Sequence, residues 1–173
     1  MGSRDRPKDL ASSARSDLEP SRKPPTLELE LTDTQELSIR ISGDLDPLTE
    51  ASGHSGVAEG FVRQIAVLGS PGKRFDEEAS SFALGFVDGM KPRDPAEVAL
   101  VTQMAAIHQA TMMMARRLNR VENLPQQDSA ERALNKLARS YAAQMDTLKR
   151  YRSKGQQTMR VERVTVEDGG QAI

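Results

Sequence analysis

The chain of 173 residues is long enough for one domain of ordinary size, but it is only 37% hydrophobic and 3% aromatic and has no Trp. This composition argues against one large core and favours small local cores, or a core completed by other subunits. The absence of cysteine excludes a disulfide framework and thiolate chemistry, and it is typical of a cytoplasmic protein.

The net charge of −1 conceals two opposed regions, and residues 156–173 add −1 to them. Residues 1–94 carry 12 basic and 17 acidic side chains, or −5, whereas residues 95–155 carry ten basic and five acidic side chains, or +5. These regions are expected to attract each other within one chain or between chains, and the basic half also suits nucleic acid. No apolar run approaches the ~18 residues of a membrane span, so no membrane contact is expected.

Residues 1–56 are predicted to be largely disordered because Ser, Pro and charged residues dominate them, and residues 44–56 are interpreted as a linker. Residues 27–41 interrupt this region with a strand-like alternation. Its aliphatic positions are Leu27, Leu29, Leu31, Leu37, Ile39 and Ile41. A β-hairpin that pairs Leu31 with Leu37 places all six on one face and Glu28 opposite Arg40. Such a hairpin is marginal alone and needs another surface.

Residues 57–92 are predicted to hold two short helices, at 57–68 and 75–87. The segment between them, Gly69-Ser70-Pro71-Gly72-Lys73, has some of the composition of a phosphate-binding loop. Its spacing is wrong, and Arg74 stands where that motif requires Ser or Thr. We therefore interpret it as a turn that ends a helix, and no cofactor is expected.

Residues 94–155 are predicted to form a long antiparallel two-helix hairpin. Asp94 is an N-cap, Pro95 opens the first helix, and an apolar seam follows at spacings of three and four. The seam consists of Leu100, Met104, Ile107, Thr111, Met114, Leu118 and Val121. A break at 123–127, with Pro125, and a cap at Asp128 are expected to start the second helix. Its stripe is Leu134, Leu137, Tyr141, Met145, Leu148 and Arg152.

Residues 156–173 are predicted to be a β tail, with Val161, Val164 and Val166 as its apolar positions. Glu167-Asp168-Gly169-Gly170 has the composition of a hairpin turn, but too few residues follow for a full return strand. An unpaired strand edge favours pairing, either with the segment at 27–41 or, as we prefer, with the tails of other subunits.

The C-terminal half resembles a family of uncharacterised bacterial proteins associated with alphaproteobacteria and their mobile elements. The resemblance covers roughly residues 85–173 and is most specific in the terminal valine strand followed by Gly169-Gly170-Gln171-Ala172-Ile173. Members of that family run a few residues further, which implies that the return strand is cut short here. The family has no assigned activity, so the resemblance implies no functional residues.

The sequence therefore predicts a mainly α, non-enzymatic structural or interaction protein that self-associates as a homo-oligomer. Val98, Val101, Ala105, Met112 and Ala115 flank the seam, and two helices alone cannot cover so wide an apolar surface. The residues predicted to carry self-association are Leu100, Met104, Ile107, Met114, Leu118, Val161, Val164 and Val166.

The alternative function is a nucleic-acid-associated accessory protein of a phage or mobile element, since a helical hairpin with a terminal strand is similar in outline to phage small terminase subunits. The residues predicted to face nucleic acid are Arg132, Lys136, Arg139, Lys149 and Arg150. A solvated surface is the competing interpretation of these charges. His108 is expected to be a packed or interface residue, and Met112–Met114 is expected to fill a helix interface. No metal ligand set and no catalytic residue is predicted.

Overall fold

The structure, a computed structural model, describes residues 22–32, 36–68 and 75–153. The predicted β tail at 156–173 and the first 21 residues lie outside these ranges. The elements in chain order are β1 (Thr26–Leu31), β2 (Leu37–Ser42), α1 (Asp46–Ala51), α2 (Ser55–Leu68), α3 (Glu77–Gly89), α4 (Pro95–Leu118) and α5 (Leu124–Arg152). The predicted mainly α class is confirmed.

The two strands form the predicted antiparallel hairpin, with Leu31 opposite Leu37 and Glu28 opposite Arg40. The hairpin packs against α3, which provides the additional surface that it needs. The Leu27 amide donates to Ser81 Oγ at 3.0 Å, and the same hydroxyl donates back to the Leu27 carbonyl at 3.0 Å. Because β1 has side chains of α3 along its outer edge, only β2 presents an open edge within the described part of the sheet.

The prediction that residues 44–56 are a disordered linker is wrong. They contain α1, whose Leu48 is buried, and the first residues of α2. Gly43 makes this path possible: its φ is +95°, and a Cβ there would collide with the Pro24 carbonyl. Arg22 attaches this segment to α3. Its guanidinium group donates to Asp44 and forms a bidentate pair with Asp88 of α3 at 2.8 Å. A six-residue helix has too little periodicity to be recognised in sequence.

The core lies where α2, α3 and the first half of α4 meet, with Leu27 and Leu48 added from the hairpin and α1. Its fully covered members include Ile65, Leu84 and Met104. Both short helices predicted before residue 92 are present, as α2 and α3, and each contributes its apolar face. The first half of α4 is thus the central helix of the molecule.

Helices α4 and α5 pack antiparallel, since Gln103 of α4 accepts from Gln144 of α5 and Glu97 accepts from Arg152. Asp94 caps α4 as predicted, accepting from the Glu97 amide at 2.9 Å. The predicted start of the second helix is wrong: α5 begins at Leu124 with Asn123 as its cap. Pro125 falls in the first turn, where no intrahelical N–H bond is lost, so it does not break the helix.

Helix α4 is, among the described helices, the one whose length and apolar content would suffice to cross a membrane. Core helices pass the same test, and the first half of α4 is such a helix because it lies in the core and carries the buried Glu97. In the apolar stretch that meets this test 28% of the residues are buried, and one such helix is weak evidence for a membrane span.

Candidate interaction site

A buried carboxylate joins the beginning of α4 to the end of α5. The Glu97 side chain has no exposed surface. Its Oε1 accepts from Arg93 Nη2 at 2.7 Å, and its Oε2 accepts from Arg152 Nη2 at 3.0 Å and from the Arg93 amide at 3.1 Å. Burial disfavours the charged form of Glu97, but the two arginines outweigh it and hold the pKa of the carboxyl below its usual range. The ion pairs fix the relative position of the two helices.

Two further bonds close the same junction. Arg152 Nη2 also donates to the Met90 carbonyl at 2.8 Å, in the turn that follows α3. Tyr151 donates its hydroxyl to Asp94 Oδ2 at 3.0 Å, which raises the pKa of the phenol. The last turn of α5 is therefore attached to the α3–α4 connection by two consecutive side chains.

This junction was not predicted from the sequence. Glu97 lies in the first turn of α4, and its partner Arg152 lies 55 residues away in the sequence. A usable signal did exist in Arg152, the one charged member of the otherwise largely apolar stripe of α5. A charge at a buried-face position indicates a buried partner of opposite charge.

One apolar face of α4 is covered by the core in the first half of the helix and continues along the second half. Val98, Val101 and Ala105 lie on this face and are fully buried. The same face carries Met112 and Ala115, since residues at these spacings lie within an arc of about 100°. Met112 is 50% exposed, and no residue between positions 106 and 129 is buried.

Two aromatic side chains extend this uncovered surface. His108 lies one turn before Met112, with ring centroids 5.9 Å from Phe82 and 6.3 Å from Phe86. Phe82 is itself 51% exposed. We call Phe82, His108, Met112 and Ala115 the distal apolar patch. His108 is packed, as expected, and Met112 does not fill an interface within its own chain.

The residues predicted for self-association have different environments. Met104 is completely buried in the chain's own core, so in this fold it has no surface left for a partner. Leu100 is partly buried and packs against that core. Ile107, Met114 and Leu118 are partly buried. The three valines of the predicted tail lie outside the described residues.

The residues predicted to face nucleic acid are all exposed. On α5, Arg132, Lys136, Arg139 and Arg150 fall within an arc of about 60°, and Lys149 lies about 100° away. The packed stripe of α5, which includes Ala130, Tyr141 and Leu148, is centred on the opposite side of the helix. Within the described ranges none of these five cations forms an ion pair.

The comparisons with known proteins add no assignment. No family model matches the sequence, and no significant match was found among curated proteins or solved structures. Among residues 22–32, 36–68 and 75–153, no three His, Cys, Asp or Glu side chains are grouped so as to hold a metal ion. A function for this protein therefore has to be inferred from the burial, charge and geometry of the chain itself.

Proposed function

We propose that the protein is a non-enzymatic interaction protein that self-associates through the distal apolar patch. The observation that carries this proposal is the change in burial along one face of α4, from the fully covered Ala105 to the half-exposed Met112. Monomeric proteins usually expose only small apolar patches. Larger contiguous apolar patches mark interaction sites. In a two-fold symmetric dimer, the apolar patch of one copy packs against the same patch of the second copy.

Charge favours the same partner. Between residues 22 and 92 the described residues carry 11 acidic and five basic side chains, or −6, and between 93 and 153 they carry ten basic and six acidic side chains, or +4. In a dimer, residues 93–153 of one copy can lie near residues 22–92 of the other, so that opposite charges attract. Salt is expected to weaken this contribution but not the apolar one.

Two neighbouring methionines allow a matched test. Met112 is 50% exposed and lies in the patch, whereas Met113 is 56% exposed and points about 100° away. Met112→Asp should reduce the molar mass in light scattering to that of one chain, and Met113→Asp should leave the assembly intact. Because both side chains are largely exposed, neither change should alter the melting temperature by more than a few degrees. Equal effects of the two substitutions on mass would exclude the patch as the interface.

A second candidate function is supported by the position of the basic residues of α5. They lie opposite the packed stripe, so the whole basic side of the helix is available to a nucleic-acid backbone. Electrophoretic mobility shift with duplex DNA at 50 mM salt tests this candidate. The triple variant Arg132→Gln, Lys136→Gln, Arg139→Gln should abolish the shift.

The control for that experiment neutralises three other exposed arginines at the end of α4 and just beyond it: Arg116, Arg117 and Arg120. It removes the same charge from a different surface. If both triple variants weaken binding equally, attraction is diffuse and the α5 face is not a binding site. If the wild type gives no shift at all, the basic side of α5 is a solvated surface.

A further inference from the structure

A pocket of about 570 Å³ lies at the junction of α4 and α5. It is lined by Arg93, Asp94, Arg150, Tyr151 and Arg152. Three of its five side chains are therefore guanidinium groups, brought together by the α3–α4 connection and the last turn of α5. The volume is in the range of small-molecule sites, and the pocket shares no residue with the distal apolar patch.

Two of the three guanidinium groups are held in fixed positions by the buried Glu97. Arg93 bonds it through Nε and Nη2 at 3.1 and 2.7 Å, and Arg152 through the same two atoms at 3.2 and 3.0 Å. Arg93 thus uses the Nε–Nη2 edge of its planar group, whereas Arg152 uses the same edge and also donates from Nη2 to the Met90 carbonyl. The Nη1 atoms of both arginines have no partner within the described ranges. The Arg93 and Arg152 side chains remain 57% and 32% exposed.

The charge of the pocket is positive and is not cancelled by its own carboxylates. Three arginines against Asp94 and Glu97 leave +1. The oxygens of Asp94 are occupied, Oδ1 by the Glu97 amide and Oδ2 by the Tyr151 hydroxyl. Arg150 is exposed, and its guanidinium group forms no hydrogen bond or ion pair with the part of the chain that the structure describes. Arg150 is therefore the uncompensated cation of the pocket.

We propose that this pocket binds a phosphate group. Three guanidinium groups suit the three terminal oxygens of a phosphomonoester, which accept charge-assisted hydrogen bonds. Arg93 and Arg152 supply donors that Glu97 has already oriented, so little side-chain entropy is lost on binding. Arg150 supplies the net attraction. The phosphate belongs either to a free phosphorylated small molecule or to a nucleic-acid backbone.

Isothermal titration of the full chain with inorganic phosphate, with AMP and with a short DNA duplex tests the proposal. Arg150→Gln should weaken binding of the phosphate-bearing ligand about tenfold, because it removes a charge-assisted bond without disturbing a folded-state partner. The control, Arg117→Gln, removes the same charge from an exposed position in the last turn of α4, away from the pocket and outside the set of α5 residues predicted to face nucleic acid. It should change the affinity by less than about twofold.

The three ligands distinguish the sources of the phosphate. Binding of inorganic phosphate or AMP that depends on Arg150 supports a small-molecule site. Binding of the duplex alone, again dependent on Arg150 and not on Arg117, supports a backbone phosphate. Absence of binding by all three ligands overturns the proposal, and so does an equal loss in the two variants. Neither result bears on the distal apolar patch, since the pocket and the patch are separate.

Discussion

Glu97 and Arg152, 55 residues apart in the chain, are joined by hydrogen bonds of 3.0 and 3.2 Å, and the carboxylate is completely buried. The pair connects the first turn of α4 to the last turn of α5. Since α4 is also the central helix of the core, the pair attaches the last turn of α5 to that core.

Removing the carboxylate should be costly. In Glu97→Ala, Arg93 and Arg152 lose the anion between them, and breaking a buried pair from one side costs about 3–5 kcal/mol. We expect a decrease of that size in the free energy of unfolding measured with urea. The control Glu122→Ala, at an exposed position between the helices, should stay within about 0.5 kcal/mol of the wild type. A loss below about 1 kcal/mol for Glu97→Ala would show that the arginines do not need their carboxylate.

The same carboxylate should make stability depend on pH. The pKa of Glu97 is lowered in the folded state, so its charged form contributes stability above the pKa of the unfolded chain, about 4.3. That contribution is lost as the pH falls through the folded-state pKa. Glu97→Gln cannot titrate.

The wild type should therefore exceed Glu97→Gln in unfolding free energy by a constant margin near neutral pH, and the margin should shrink in acid. Urea unfolding of both proteins between about pH 7 and pH 3 measures it. A margin that is unchanged or larger in acid would mean that Glu97 is not ionised in the folded protein.

The predicted β tail can be tested although it lies outside the described residues. Deleting residues 157–173 should lower the oligomeric state while leaving the helical circular-dichroism signal largely intact, because main-chain pairing between tails adds to the helical contact. Deletion of residues 1–21 is the control and should leave the molar mass of the assembly at the same number of chains. If the tail-deleted protein keeps its full assembly, the tail is not an assembly strand and the α4–α5 pair alone holds the subunits together.

Local patterns predicted the parts of the fold that local interactions determine. The alternation from Leu27 to Ile41 fixed the register of the β-hairpin, and Asp94 marked the start of α4. The start of α5 was misplaced because Asn123 and Asp128 are both good caps, and only the structure distinguishes them.

The parts that depend on distant contacts were not predictable. The docking of β1 on Ser81 and the burial of Leu48 arise from packing between segments that have no shared pattern in the sequence. The basic residues of α5 are exposed, which both the nucleic-acid interpretation and the solvated-surface interpretation require. The Glu97 junction and its pocket were missed because Arg93 and Arg152 are brought together only by the antiparallel packing of α4 and α5.

Self-association is tested most directly by the molar mass of the wild-type full chain. Light scattering coupled to size exclusion, at tens of micromolar protein, should give a mass of at least two chains of 19.0 kDa. The mass should fall on dilution and should fall to one chain in Met112→Asp. A wild-type protein that remains a stable monomer of 19.0 kDa at that concentration would contradict the account.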